Sequence, residues 1–365
     1  MYSEDNTDRV LKILRRYAYQ SQSYSILRND KSYFFSPSGV DGVIAYAVRS
    51  KVALAAGDPV CDPSNLAEFV TEFRNFCSVR KLRCCFQAVT DRCKKVLEEL
   101  NFGLIKTGEE PIFEFDKVSW SGGKFRGLRK DANVAKRRGL TVVEYRPLTG
   151  RRREWEKNME ELSATWMKFK GSGEFAFLIG EPSLTDPGER KYFLALKDNQ
   201  VEAFVVCAPI FGRNGIYFDL MRRKEKTLSG TSQLLITESF RILKDQGYAM
   251  ATLGTAPLAY GHVCDPIQRH IIELALKLAF EHLGYFHHYK PLYNFKMKFG
   301  PTSWESRYLA YWPPRFNPVI LYALLKAYDP SGVTGKLLRQ IQHAWHSIKR
   351  LDQVPGNLIE KLKRH

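Results

Sequence analysis

Residues 216–258, IYFDLMRRKEKTLSGTSQLLITESFRILKDQGYAMATLGTAPL, read in succession as a strand, a cationic turn, a helix and a second strand. The apolar run from Ile216 closes on Asp219 and Arg222. The turn then carries Arg223, Lys224 and Lys226 into Ser229-Gly230-Thr231, after which apolar residues recur with helical period. A helix start offers unpaired backbone N–H groups, and with small residues and cations beside it such a start binds anions. Arg223, Lys224, Gly230 and Thr231 are therefore predicted to hold a phosphate, whether a pyrophosphate or the 3′ end of an RNA.

Outward from this stretch, the second half of the chain reads as helix 155–168, strands 191–196, 200–208 and 215–221, helix 231–246 and strand 249–255, followed by a helix over 266–283 and a last segment to Trp312. The first half shows a similar order. An amphipathic helix is expected over 7–20, with Val10, Ile13, Leu14 and Tyr17 on one stripe. Strands at 32–36, 42–49 and 52–57, helix 65–81, strand 82–89, helix 92–101 and a strand through "PIFEF" follow. The boundaries predict an N-terminal α/β domain over 1–120, a basic linker helix over 121–140, a C-terminal α/β domain over 141–315 and a basic amphipathic tail over 316–365. The tail holds "PVILYALLKAY", apolar on every side. It then continues into "KLLRQIQHAWHSIKRL", a helix suited to a membrane interface; the alternative is that both pieces dock on the second domain.

At 365 residues the chain exceeds the size of one hydrophobic core. A net charge of +17 favours long anionic partners, either nucleic acid or a surface of acidic lipids. The seven cysteines include no repeated CxxC pair and read as reduced thiols of a cytoplasmic protein. No run reaches the roughly 20 apolar residues that span a bilayer, and the N-terminus does not read as a signal peptide. No metal is predicted.

Several side chains outside the opening stretch are candidates for chemistry. In "KFRGLRKDANVAKRRG" (124–139) cations recur on nearly every helical turn, so Lys130, Lys136, Arg137 and Arg138 could lie against a polyphosphate backbone; a solvated linker is the alternative. Lys296 and Lys298 alternate about Met297, which in a strand would point both to one side, toward a terminal phosphate or a developing oxyanion. Glu109 and Glu110 precede a predicted strand, where neighbouring like charges can raise one carboxyl and yield a general base. His262 could accept a proton. Asp219 and Arg222 could equally form an ordinary ion pair, and Asp58, before Pro59, reads as closing a turn.

The segments "YSILRNDKSYFFSPSG", "VALAAGDPV", "TGEEPIFEF", "KFRGLRKDANVAKRRG", "FDLMRR", "LGTAPL" and "KPLYNFKMKFGPTSWESRYLAY" stand in the order seen in the lysyl- and alanyl-phosphatidylglycerol synthases. From about Asp8 to Trp312 the chain resembles the catalytic region of that multiple-peptide-resistance-factor family, which also includes freestanding aminoacyl-tRNA transferases. The resemblance implies an α/β fold of two tandem GNAT-like (acyl-CoA N-acyltransferase-like) domains joined by the basic helix. It also implies transfer of an amino acid from aminoacyl-tRNA, as co-substrate and without a further cofactor, onto a hydroxyl of a lipid such as phosphatidylglycerol. Typical members carry a large membrane-embedded N-terminal half, so the chain as it stands is expected to transfer without translocating lipid. It is expected in the cytoplasm, peripheral on the inner face of the membrane, with an anionic phospholipid surface as partner.

By the same resemblance Asp219 would bind the α-ammonium of the aminoacyl group or act as base. Arg222 would pair with phosphate or with Asp219, and Glu109 and Glu110 would wall the cleft. Glu174 is the carboxylate near the amino-acid pocket, in "LSATWMKFKGSGEFAF" (162–177). The ester is already activated, so the enzyme need only orient two substrates, assist loss of a hydroxyl proton and stabilise an oxyanion. Two alternatives remain: the same donor with a soluble hydroxyl or hydroxylamine acceptor, and an acetyl-CoA-dependent N-acetyltransferase. The turn "RRKEKTLSGTS" lacks the compact two-glycine loop usual for coenzyme A. A non-catalytic RNA- or membrane-binding module is a third class.

Overall fold

The computed structural model describes residues 4–170, 188–257 and 289–328. The first half contributes α1 (Glu4–Tyr17), β1 (Ser32–Phe34), β2 (Gly42–Arg49), β3 (Val52–Ala56), β4 (Val60–Cys61), α2 (Leu66–Val79), β5 (Arg83–Val89), α3 (Asp91–Glu99) and β6 (Gly103–Glu114). After it come α4 (Arg126–Arg137), β7 (Thr141–Tyr145), α5 (Arg153–Lys170), β8 (Lys191–Lys197), β9 (Gln200–Ile210), β10 (Gly215–Arg223), α6 (Thr231–Asp245), β11 (Met250–Thr252) and β12 (Ala256–Pro257). The last elements are α7 (Tyr289–Met297), β13 (Ser303–Trp312) and α8 (Pro318–Tyr328).

The strands form one continuous sheet in the order β1-β2-β3-β5-β13-β6-β11-β10-β9-β8-β7. Two series run inward from its edges with the same logic. Each has an antiparallel hairpin, β2–β3 or β8–β9, and a parallel step, β3 to β5 or β10 to β11, bridged by a crossover helix, α2 or α6. Both hairpins turn on two residues with positive φ, Ser50-Lys51 and Asp198-Asn199, as a type I′ turn requires. The series meet at β13 and β6, which pair with each other along most of their length.

Layers cover both faces of each series. In the first, Val10 and Leu14 of α1 and Ile320 and Ala323 of α8 pack around Val43 and Leu54, while Phe69 and Phe73 of α2 and Leu97 close the opposite face around Ala53 and Phe86. In the second, α4 and α6 place Leu128, Ala135, Leu235 and Phe240 on Phe193, Val205 and Phe218. Trp155 and Met159 of α5 lie on Tyr192, Leu194 and Phe204.

The structure corrects four expectations. The helix expected to run to Gln20 ends at Tyr17, and Ser21–Leu27 form a 3-10 segment that lies against β9 and β10. The strand-like reading of 296–298 fails, because Lys296 and Met297 are the last two residues of helix α7. Glu109 and Glu110 do not precede a strand but lie inside the twelve-residue β6. The apolar segment 318–328 docks on β2 and β3 of the first series rather than on the second domain; residues 329–365 of the expected tail lie outside the described residues. No helix among the described residues is long and apolar enough to cross a membrane.

Candidate functional site

Asp219 lies inside β10 rather than at its C-terminal end, and it occupies a bulge. Phe218 pairs with Cys207 and Leu220 with Val206, leaving Asp219 as the extra residue. The consequence shows in the packing: Phe218 faces the α4–α6 layer and Leu220 the α5 layer, although residues two apart in a regular strand share a face. The bulge thus inserts a half-buried carboxylate where the ladder is interrupted. Arg222 follows on the same strand and donates from Nη1 to the Met221 carbonyl (3.1 Å).

The N-terminal segment supplies a cation that the sequence reading missed. Lys31 Nζ donates to Asp30 Oδ1 (2.6 Å) and to the Ser25 carbonyl (3.2 Å), with no exposed side-chain surface. Burial pushes its ammonium down to about 8, against the pull of Asp30 and, more weakly, of Asp219. Its position within "RNDKSYFF" offers no periodic signal, because the contact with β10 exists only after the 3-10 segment folds across the second series.

At the junction of the two series stands a buried charge cluster. Glu110 is 0% and Arg307 2% exposed. Arg307 Nε donates to Glu110 Oε2 (2.8 Å), as does Ser21 Oγ (3.0 Å), and Thr252 Oγ1 donates to Oε1 (2.8 Å). Elements β6, β13, β11 and the 3-10 segment therefore converge on one carboxylate. Arg307 also reaches Glu305 (3.1 Å), which Arg213 binds at 2.8 Å. Burial would lower the Arg307 guanidinium, but Glu110 and Glu305 outweigh it and leave it raised. Burial would likewise raise Glu305, yet Arg213 and Arg307 hold it below the ordinary carboxylate range.

This cluster replaces the expected carboxylate dyad. Adjacent residues of a strand point to opposite faces, and each carboxylate has its own cation: Glu110 has Arg307, and Glu109 has Lys106 at 2.5 Å. Arg307, Ser21 and Thr252 were not recognised as site residues. In "SWESRYLAYW" the arginine alternates like a solvent-facing strand residue, and only the insertion of β13 between β5 and β6 buries it.

Lys296 and Lys298 do not form the expected pair. Two residues in a helix are about 200° apart, and the two separate accordingly: Lys298 is exposed beyond the helix end, whereas Lys296 is 4% exposed. Lys296 Nζ donates to the carbonyls of Gly254 (2.6 Å) and Thr255 (2.9 Å), tying α7 to the segment after β11. Burial pushes its ammonium down to about 7, against the pull of Glu110.

The predicted phosphate cradle is largely engaged within the protein. Gly230 caps α6 at φ +88°, and a Cβ there would stand 2.0 Å from the Asp131 carbonyl oxygen, so α4 packs across the tip of α6. Thr231 is 1% exposed and its hydroxyl donates to the Leu228 carbonyl (2.7 Å). Lys224 binds Glu202 (2.6 Å), which also accepts from Thr227 (3.0 Å). Arg223 is exposed beside this network.

On α4 the reading divides by face. Leu128, Ala132 and Ala135 are buried, while Lys130, Lys136, Arg137 and Arg138 are exposed; Lys136 stands 3.8 Å from Glu238. Glu174 and His262 lie outside the described residues. Asp58 holds Thr90, accepting from its backbone N–H at 3.0 Å. Six cysteines among the described residues are free and buried.

Comparison with known proteins gives a consistent result. Residues 11–311 match the family model described as phosphatidylglycerol lysyltransferase, C-terminal. The chain is 26% identical over 353 residues to the lysylphosphatidylglycerol biosynthesis bifunctional protein LysX of Mycolicibacterium vanbaalenii, covering 93% of this chain and 30% of that protein. It is 22% identical over 320 residues to the phosphatidylglycerol lysyltransferase of Bacillus subtilis, covering 87% and 36%. The chain thus spans only about a third of the length of these curated relatives. The structure of L-PGS from Bacillus licheniformis superposes with a TM-score of 0.74 at 23% identity, covering 92% of this chain and 96% of that chain. The C-terminal domain of a putative lysylphosphatidylglycerol synthetase from Agrobacterium fabrum gives 0.73 at 22%, covering 88% and 96%. These two share the mixed α/β fold.

Proposed function

Because the chain belongs to the C-terminal phosphatidylglycerol lysyltransferase family, matched over residues 11–311, we propose that it is an aminoacyl-tRNA-dependent aminoacyltransferase acting on a hydroxyl of phosphatidylglycerol. The two strand series support reading the fold as tandem acyl-CoA N-acyltransferase-like units, with the reaction at their junction. The observation that carries the mechanism is the bulge that turns Asp219 out of the β10 ladder near Lys31, an element of one series facing an element of the other.

In this reading the acceptor oxygen attacks the ester carbonyl carbon, a carbon–oxygen bond forms, and collapse breaks the bond to the ribose oxygen of tRNA, which takes up the proton. Asp219, a half-buried carboxylate beside Lys31, would anchor the α-ammonium or accept the hydroxyl proton. Arg222 and the exposed Lys298 supply positive charge for phosphate or oxyanion. Glu110, locked by Arg307, fixes the geometry of β6 and β11 rather than transferring protons. The exposed cations Lys130 and Arg137 of α4, with Arg138 just beyond it, would meet the tRNA backbone. No feature of the described residues favours acetyl-CoA, since the tip of α6 is occupied by α4.

The test incubates the protein with a mixture of radiolabelled aminoacyl-tRNAs and phosphatidylglycerol vesicles and follows label into the organic phase. Transfer from one aminoacyl-tRNA is expected and would identify the amino acid. Label released only to water, or turnover of acetyl-CoA alone, would defeat the reading.

A further inference from the structure

Between α4 and α6 runs a groove of about 380 Å³ whose floor includes Phe115, Trp120, Leu128 and Phe240. The floor is rigid. Phe240 meets Phe115 edge-on with centroids 5.3 Å apart, Trp120 lies 5.7 Å from Phe240, and the Trp120 indole N–H donates to the Phe299 carbonyl (2.7 Å). The charged lining is one-sided: four cations, Arg129, Lys136, Arg241 and Lys244, against the single carboxylate Glu238. Glu238 binds Arg241 (2.9 Å) and stands 3.8 Å from Lys136. Arg129 donates to the Gly122 carbonyl (2.8 Å), which orients it without neutralising it.

A preformed apolar groove with a net positive mouth fits an amphiphile that has an aliphatic body and an anionic head, and its volume lies within the roughly 300–1,000 Å³ of small-ligand sites. We propose that the α4–α6 groove takes one acyl chain of an anionic phospholipid at a bilayer surface, with Arg129, Lys136 and Lys244 around the phosphate. Nucleic acid fits it less well. Besides the charged groups only Asn133 and Thr237 line the groove with polar side chains, so base edges would find few partners. The chain's own segment "KLLRQIQHAWHSIKRL" carries four cations and no acid, the same sign as the mouth. None of the groove residues belongs to the Asp219 or Glu110 clusters, so this is a docking site apart from the acceptor site. A single acyl chain gives reversible attachment, which suits orientation of the enzyme on a surface from which products must leave.

The proposal rests on the lipid-surface part of the reading above but not on catalysis, and the test uses binding alone. Vesicles of phosphatidylglycerol with brominated acyl chains are added to the full chain without any aminoacyl donor, and tryptophan fluorescence is followed; brominated phosphatidylcholine vesicles are the control. A quenched component that vanishes in Trp120→Phe is expected, roughly tenfold stronger with the anionic lipid. Asn133→Phe and Thr237→Phe, which fill the groove, should each remove that component at unchanged melting temperature. Quenching that persists in both filled variants, or vesicle binding without any Trp120 component, overturns the proposal. So does a Trp120 signal that responds to tRNA and not to lipid. Groove binding by a protein that transfers nothing would uphold this proposal while removing the transferase reading.

Discussion

Glu110 has no exposed surface and takes hydrogen bonds from Arg307, Ser21 and Thr252, so its charge is compensated only by partners from other elements. Removing one member of a buried pair strands the other, at a typical loss of about 3–5 kcal/mol. Arg307→Met is expected to lose stability on that order in urea unfolding, and Glu110→Leu combined with Arg307→Met to recover most of it. A single-variant loss below about 1 kcal/mol would mean that the pair is hydrated. At Asp219 the expectation concerns turnover: Asp219→Asn should lower kcat by roughly a hundredfold or more, as loss of a preorganised charge at a reacting centre does, with melting unchanged. Normal turnover would remove Asp219 from the site. Lys296 makes a prediction in pH. Its folded-state value of about 7 lies below the unfolded 10.5, so between these limits the unfolded chain binds more protons and stability rises with pH. The slope is at most about 1.4 kcal/mol per pH unit for one proton. Unfolding measured at several pH values should show that rise in the wild type and lack most of it in Lys296→Met; parallel profiles would refute it. Asp219 and Glu110 were legible as candidates, one as the acid on which an apolar run closes and the other as half of a like-charged pair, although the structure places both inside strands. Arg307 and Lys31 were not, because burial of a cation leaves no trace in a one-dimensional pattern.

Among the elements, α4 carries two stripes. Its buried Leu128, Ala132 and Ala135 fix it to α6, and Lys130, Lys136 and Arg137 lie on its exposed face. Reversing Lys130, Arg137 and Arg138 is expected to weaken tRNA binding and to reduce the salt slope by roughly one per cation, measured by filter binding across ionic strength. An unchanged slope returns the helix to a packing role. At the start of α6, Gly230→Ala places a methyl group against the Asp131 carbonyl at positive φ. The strained backbone alone costs about 1–3 kcal/mol. Thermal melting that matches the wild type would show that α4 yields at this point. The helices at 155–168 and 231–246 and the strands at 191–196, 200–208, 215–221 and 249–255 were readable from periodicity, whereas β7 (Thr141–Tyr145) was not, and the helix expected over 266–283 lies outside the described residues. Element α7 was misread because Lys-Met-Lys alternates over too few residues to separate a period of two from one of 3.6.

For the molecule as a whole, the decisive feature is that β13 inserts between β5 and β6 while β6 continues onto β11. The two series therefore share one hydrogen-bonded sheet, and a single cooperative calorimetric transition is expected; two well-separated transitions would contradict the shared sheet. The repeated order of strands and helices, the excess of positive charge and the resemblance to the phosphatidylglycerol synthases were all fixed by the sequence, because periodicity, composition and local turn chemistry act within a few residues of one another. Which strands stand at the junction, which carboxylate is locked by an arginine almost two hundred residues away, which lysine is buried under two carbonyls and which face of the basic helix stays open were decided only by the tertiary structure. Each of these depends on long-range pairing, and the free energy of burying a charge is set by the partners that the completed fold brings to it.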